Sequence, residues 1–199
     1  MTIHLSSGIS GTYQGALSAG DMVDEIDVYG FDTEVACYMQ GMYSIHAAKM
    51  AAQGATAKEI IAHLNKMKAH EKDFIVVDDL SHLQRGGRLS AASALIGSLL
   101  QVKPILHFKD KVIVPFEKVR TQKKALKRVE EELAADVARH GALEATVIHS
   151  NCEEKAKEWM EHLQQEFPTV TFHLSYFGAV VGTHLGEGAL AMGWFPKNV

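Results

Sequence analysis

The sequence contains 199 residues, with 20 lysines and arginines against 24 aspartates and glutamates and a formal net charge of −4. Hydrophobic residues make up 47% and charged residues 22%, which is typical of globular chains and excludes an intrinsically disordered one. The negative balance excludes a basic field over the whole molecule, so we expect no nucleic-acid partner. No apolar run approaches the ~20 residues of a membrane-spanning helix, so we expect no stable membrane insertion. Cys37 and Cys152 fit no metal-ligand spacing, which favours free thiols and a cytoplasmic protein.

The first 70 residues alternate short strands with amphipathic helices, which is the pattern of a layered α/β unit. Asp32 has the residue type of a helix N-cap, and Gly54 has that of a helix end. Thr56 and Glu59 have the spacing of a capping box, which predicts a further helix. The predicted elements are a strand at 3–5, a helix at 13–23, a strand at 27–31, a helix from 33 to 54 and a helix after residue 56.

The sequence changes character near residue 71 and continues to residue 199 as a second series of strands and helices. A β-hairpin interrupts this series, which predicts a mixed sheet with helices packed on it rather than a purely parallel sheet. The predicted elements are a strand at 74–77, a buried helix at 91–100 capped by Ser90, a hairpin of 104–108 with 112–114, a helix at 121–140 closed by Gly141, a strand at 145–149, a helix at 153–166, a strand at 170–174 and a glycine-rich end with more strand.

Residues 6–12, with the sequence SSGISGT, lie where a strand ends and a helix begins. Exposed backbone N–H groups and the helix dipole favour an anion at such a place, and serine hydroxyls can donate to it. The segment has neither the lysine of a P-loop nor the pattern of a nucleophile elbow. It is therefore either an anion site or a capped helix with a flexible turn.

Two groups of basic residues are candidate interaction sites. Arg85 and Arg88 flank a glycine pair before the predicted helix at 91–100. Three interpretations are open: the arginines stabilise a polar loop, form ion pairs with neighbouring acids, or bind an acidic partner. The helix after Thr121 opens with positive charge, which the helix dipole disfavours, so this patch is either a partner surface or a solvated face. Its members are Lys118, Arg120, Lys123, Lys124, Lys127 and Arg128.

His184 lies in a glycine-rich segment, residues 178–188, which the sequence predicts to be a loop between strands. Because histidine titrates near neutral pH, it can donate a hydrogen bond to an anion there. The other reading is a histidine with a structural role. No pair of histidines has zinc-ligand spacing, and no Ser–His–Asp or Cys–His order indicates hydrolysis, so an enzyme is the weaker interpretation.

Four motifs, in this order along the chain, resemble those of the DegV family, bacterial fatty-acid-binding proteins that present acyl chains to a fatty acid kinase. The resemblance implies an α/β, DegV-like two-domain fold: a truncated N-terminal α/β domain at residues 1–70 and a lipid-binding C-terminal domain with a mixed sheet at 71–199. The motifs are residues 5–13 (LSSGISGTY), 83–89 (LQRGGRL), 119–121 (VRT) and 182–190 (GTHLGEGAL).

The same resemblance implies where the ligand binds. The serine-glycine loop and the Gly-Thr-His loop would converge on the carboxylate of a long-chain fatty acid, which Ser7, Ser6, His184 and Thr183 would bind. The acyl chain would lie in an apolar tunnel that residues 91–100 help to line. The protein would be a non-enzymatic partner of a fatty acid kinase, with the fatty acid as its ligand and no cofactor or metal.

The positive charge at the start of the helix after Thr121 motivates a further hypothesis, in which Arg88 and Arg120 dock to an acidic surface of the kinase. Two alternatives stay open: a small-molecule or phosphate-utilising transferase that uses the Ser/Gly loop, and a degenerate fragment that binds no ligand. The sequence also departs from the family, because it lacks the early Asp motif and the Thr-Ser-Gln-Pro loop of an additional N-terminal segment. We therefore expect the first domain to be a remnant, held by the second domain or by homo-oligomerisation through its open sheet edge.

Overall fold

A computed structural model of the chain describes residues 1–89 and 103–198, and this part of the chain contains seven helices and eight strands. The predicted helix at 91–100 and its cap Ser90 lie outside the described residues. In chain order the elements are β1 Thr2–His4, α1 Thr12–Gly20, β2 Gly30–Asp32, α2 Cys37–Ala52, α3 Ala57–His70, β3 Lys72–Val76, α4 Ser81–Arg85, β4 Lys103–Lys109, β5 Val112–Val119, α5 Gln122–His140, β6 Leu143–His149, α6 Glu153–Glu166, β7 Thr171–Tyr176, α7 Ala179–Leu185 and β8 Leu190–Pro196.

The larger of two sheets has six strands in the order β5-β4-β3-β8-β6-β7. β6 and β7 pair in parallel, and the other neighbouring strands are antiparallel, which confirms the predicted mixed sheet. The predicted hairpin is formed by β4 and β5. β5 is an edge strand, which tolerates Pro115 although proline has no N–H to donate to a neighbouring strand. In the smaller sheet of the described structure, β1 pairs with β2 in parallel.

The two faces of the six-stranded sheet are covered by different parts of the chain. On one face α5 and α6 pack over a buried core that includes Phe74 and Trp194. On the other face α2 and α3 pack against Phe195 of β8, which is fully buried beside Tyr43. Residues from both sides of position 70 thus share one core, and the division into domains at that position stays a prediction.

Two boundary predictions near the N-terminus are wrong. Asp32 ends β2 and caps no helix; α2 begins five residues later, at Cys37. The backbone is left-handed at Glu34 and Cys37, with φ of 64° and 57°, so a continuous helix from Thr33 is excluded. The helix predicted at 13–23 also ends earlier, because α1 stops at Gly20.

The predicted capping box and the predicted helix end at Gly141 are confirmed. The Thr56 hydroxyl accepts from the Glu59 N–H while the Glu59 carboxylate accepts from the Thr56 N–H, which is a complete capping box. The Thr121 hydroxyl accepts from the Lys124 N–H, and Gly141 closes α5 with a φ of 76°. None of the helices in residues 1–89 and 103–198 combines the length and hydropathy that crossing a bilayer requires.

Candidate ligand-binding site

An open groove of about 490 Å³ runs between residues 5–12 and helix α7. Its polar lining residues include Ser10, Thr12, Arg88 and His184. The rest of its described lining is mainly aliphatic, and its volume falls within the range of small-molecule sites. The first and fourth sequence motifs are therefore brought to one site, together with Arg88 from the second.

A narrow cavity of about 40 Å³ lies beneath this groove. Its described walls are almost wholly apolar and come from the face of the six-stranded sheet, the start of α2 and helix α7. Because the groove and the cavity share wall residues, they are adjacent. The shared residues are Ile9, Cys37, Ile113, Val181 and Leu185.

His184 does not lie in a loop, as the sequence predicts, but in the last turn of α7. The glycines around it instead allow α4 and α7 to approach closely. A Cβ atom at Gly86 would lie 2.1 Å from Nδ1 of His184, and one at Gly186 would lie 2.7 Å from Cδ2 of His82. Gly86 is therefore required for the position of the imidazole in the groove.

Ser6 and Ser7 have partners within the protein. The Ser6 hydroxyl donates to the Lys111 carbonyl at 2.6 Å, and the Ser7 hydroxyl donates to the Asp32 carboxylate at 2.5 Å. Lys111 Nζ lies 3.1 Å from the same carboxylate. Burial raises the pKa of Asp32, but hydrogen bonds from Ser7, Lys111 and Glu34 outweigh this effect and bring it below its usual value.

Among the described residues, those that line the groove do not include Ser6, Ser7 or Thr183. The Thr183 hydroxyl donates to the Ala179 carbonyl at 2.8 Å, within α7. The structure thus brings Ser10 and Thr12 of the serine-rich loop to the groove beside His184. The carboxylate-binding role of Ser6, Ser7 and Thr183 stays a prediction.

The two arginines predicted to contact a partner have different surroundings. Arg88 donates through Nε to the Ile9 carbonyl at 3.2 Å and through a terminal nitrogen to the Gly86 carbonyl at 2.7 Å. It thereby connects the first and second motifs. Arg120 is exposed just before α5, away from the described groove lining. Arg128, in the same basic group, is ion-paired with Glu117 and Glu132.

Comparison with known proteins identifies the family. The sequence model described as "Uncharacterised protein, DegV family" matches residues 1–197. The chain belongs to the DegV family. Protein DegV of Bacillus subtilis is 56% identical over 198 residues, which cover 99% of this chain and 70% of the relative. A DegV domain-containing protein of Listeria innocua is 55% identical over 197 residues, with the same coverage.

Solved DegV structures have the same fold. The crystal structure of Bacillus subtilis DegV, described as a fatty acid binding protein, has a TM-score of 0.91 at 55% identity and covers 98% of this chain and 70% of its own. A fatty acid binding DegV family protein from Streptococcus agalactiae has a TM-score of 0.88 at 38% identity, covering 97% and 68%. A Thermus thermophilus DegV family protein, also described by its fatty acid binding, has a TM-score of 0.87 at 26% identity, covering 98% and 69%.

Sequence reasoning about this DegV chain missed two residues of the site. Cys37 lines both groove and cavity, where burial raises the pKa of its thiol to about 12, so it is a poor nucleophile. Asp73 is the only carboxylate among the described residues of the cavity wall. Asp73 could have been found from the sequence, because an acidic residue directly before the apolar run 74–77 indicates a carboxyl group on a buried strand.

Proposed function

We propose that this DegV-family protein binds a long-chain fatty acid, with the acyl chain in the groove and cavity and the carboxylate beside His184. The observation that carries the proposal is an apolar cavity adjacent to a groove whose lining includes hydrogen-bond donors. Three relatives of the same fold are described as fatty acid binding proteins, which supports it. The protein itself performs no chemistry in this proposal and needs no cofactor or metal.

The balance of energies favours such a ligand. Burying an acyl chain yields about 0.8 kcal/mol per CH₂ group, so a long chain supplies ample affinity. The carboxylate loses hydration on binding and needs donors in return, which His184, Arg88, Ser10 and Thr12 can provide. Ser6 and Ser7 can join them if their hydroxyls leave Lys111 and Asp32.

Native mass spectrometry of the full chain purified from cells tests this proposal. We expect a bound mass that matches fatty acids of 16 to 18 carbons. A protein that is empty, and that stays empty after incubation with palmitate, would instead support the degenerate-fragment alternative. Turnover of a phosphorylated substrate that Ser7→Ala abolishes would support the transferase.

A glycine pair supplies matched variants for the head-group site. Gly86→Ala places a Cβ against His184, and we expect palmitate affinity to fall roughly tenfold, the equivalent of one charged hydrogen bond. Gly87→Ala is the control, because its Cβ meets none of the described residues within 4 Å, although the φ of 67° makes it a strained substitution. Equal palmitate affinities in the two variants would contradict a role of His184 in binding the carboxylate.

We further propose that the bound carboxylate is presented to a fatty acid kinase, and that Arg88 and Arg120 contact this partner. Exposed arginines mainly accelerate encounter with an acidic surface. Arg120→Ala tests docking without disturbing the groove, because Arg120 is exposed away from it. We expect slower phosphorylation of the bound fatty acid with unchanged binding; an undiminished rate would contradict the docking role.

Two wider properties are also proposals. The cytoplasm is the proposed compartment, because Cys37 and Cys152 are both free. Self-association through the two-stranded sheet is proposed because β1 and β2 make a small sheet with open edges. Light scattering during size-exclusion chromatography tests this, and a well-folded monomer would contradict it.

A further inference from the structure

The cavity extends along the pairing of β3 with β8. Ile75 lies opposite Ala191 in this pairing, and Asp73 lies opposite Gly193, two residues further along each strand. All four line the cavity, but none of them lines the groove. The walls shared with the groove include residues of α7 instead. Ile75 and Ala191 pack in one hydrophobic cluster with Leu185 of α7, which also lines the groove. The rung formed by Asp73 and Gly193 is therefore at the end farther from the groove, the deep end.

The deep end is closed by Met39 of α2. A Cβ at Gly193 would lie 2.7 Å from Sδ and 2.8 Å from Cγ of Met39, so the thioether lies directly on the β8 backbone. Met39 is only 3% exposed. Behind it, Tyr43 and Phe195 are fully buried, with ring centroids 6.3 Å apart, and fill the space beyond.

Asp73 adds a polar side to this closed end. Its two carboxylate oxygens accept from the Phe108 N–H at 3.1 and 3.2 Å, and Phe108 also lines the cavity. A single N–H leaves most of the carboxylate's hydrogen-bonding capacity unused. The methyl end of an acyl chain placed against it would desolvate it further without offering a bond, which is unfavourable.

We propose that Met39 against Gly193, flanked by Asp73, forms the end wall of the acyl site and sets the length of fatty acid that the protein accepts. This rests on the proposed function. The wall is adjustable, because methionine is unbranched and fills irregular gaps. A chain reaching from the groove past Ile75 and Ala191 meets the thioether, so each further CH₂ must displace Met39 into the packed rings behind it.

Competition among saturated fatty acids of 12 to 20 carbons, read by native mass spectrometry of the full chain, tests the wall. We expect Met39→Ala to shift the preferred length upward by about two carbons, since it removes most of a side chain that closes the cavity. Gly193→Ala adds a methyl group at the wall and is expected to shift the preference downward. Asp73→Ala removes the polar flank and is expected to act in the same direction as Met39→Ala.

Met42→Ala is the matched control. Met42 lies on the same helix and is equally buried, but it is not among the described residues of the cavity wall. We expect its length profile to equal that of the unsubstituted protein. If Met39→Ala does not fold, the downward shift in Gly193→Ala decides the question.

The outcomes separate the two proposals. Fatty acid bound with the same length profile in Met39→Ala and Gly193→Ala would overturn the end wall and leave the proposed function standing. The same shift in Met42→Ala as in Met39→Ala would also overturn it, because general loosening of the core would then be the cause. Failure of the unsubstituted protein to bind any of the fatty acids would overturn both proposals.

Discussion

Asp73 places a carboxyl group on the face of β3 that also carries the apolar Ile75. Burial raises its pKa to about 7, although the hydrogen bond from Phe108 opposes the change. Burial also raises the pKa of Glu71, and the charges of Asp73 and Glu34 add to this effect. Both acids therefore hold protons in the folded protein at a pH where the unfolded chain has lost them.

This difference makes stability depend on pH. At these two acids the folded state binds more protons than the unfolded chain above pH ~4, so their contribution to stability falls as the pH rises towards and through 7. We expect Asp73→Asn to lose less stability than the unsubstituted protein between pH 5 and 8. The limit over this pH range is roughly 3 kcal/mol for a pKa near 7, because about two pH units of the shift lie above pH 5. Urea unfolding at several pH values measures the change.

Asp79→Asn is the control for this measurement. Asp79 is exposed, and hydrogen bonds from the Ser81 hydroxyl and N–H lower its pKa, so it stays ionised throughout the range from pH 5 to 8. Its replacement should displace the stability curve without changing its slope. Parallel curves for Asp73→Asn and the unsubstituted protein would contradict the assignment of the slope to Asp73.

At the scale of elements, helix α2 has two roles along its length. Its first residue, Cys37, lines the groove and the cavity, whereas Tyr43 and Ala47 lie in the core shared with β8. A ligand in the groove therefore contacts the same helix that joins the N-terminal segment to the six-stranded sheet. The reactivity of the Cys37 thiol can be used to detect that contact.

We expect saturating palmitate to slow maleimide modification of Cys37 several-fold, because the acyl chain covers its thiol. The unliganded reaction is already slow, since burial raises the pKa of this thiol to about 12. Cys152 is the internal control, because it is half-buried but lines neither the groove nor the cavity in the described structure. Mass spectrometry of digested protein measures both rates; equal protection of the two thiols would contradict this site.

The elements that were predictable from sequence are those whose signals are local. The Thr56–Glu59 box, the helix end at Gly141 and the hairpin each depend on residues a few positions apart. The start of α2 was not predictable, because Asp32 has a typical N-cap residue type but is bonded instead to Ser7, 25 positions earlier. Helix α7 was missed because the glycines of residues 178–188 predict a loop, whereas Gly186 ends the helix and lies against His82 of α4.

At the scale of the whole molecule, the N-terminal loop is held against the β4–β5 hairpin. Ser6 donates to the Lys111 carbonyl, and a Cβ at Gly8 would lie 2.2 Å from the same oxygen. Lys111 also pairs with Asp32 at the end of β2. These contacts join the small sheet to the large one. Sequence reasoning identified Ser6 and Gly8 through their motif but gave no signal of this partner, which lies more than 100 residues away.

We expect Gly8→Ala to destabilise the protein by roughly 1–3 kcal/mol, because its methyl group collides with backbone and not with a flexible side chain. Gly15→Ala is the matched substitution, since a Cβ at Gly15 in α1 meets nothing within 4 Å. It should stabilise the helix by about 0.5–1 kcal/mol. Urea unfolding measures both, and a Gly8→Ala protein as stable as the unsubstituted one would show that the loop does not contact the hairpin in solution.

The turn of that hairpin has a consequence for the order of folding. Asp110 and Lys111 form its two-residue loop with φ of 49° and 72°, a conformation that favours Asn-Gly and costs a lysine roughly 1–2 kcal/mol. Closing the hairpin alone is therefore unfavourable, and the bonds from Ser6 and Asp32 offset the strain only after residues 6–32 have docked. We expect this hairpin, although local in sequence, to close late. We expect stopped-flow refolding to be no faster with Asn-Gly at these positions. Faster refolding would show that the turn is already formed in the transition state, and would contradict this order.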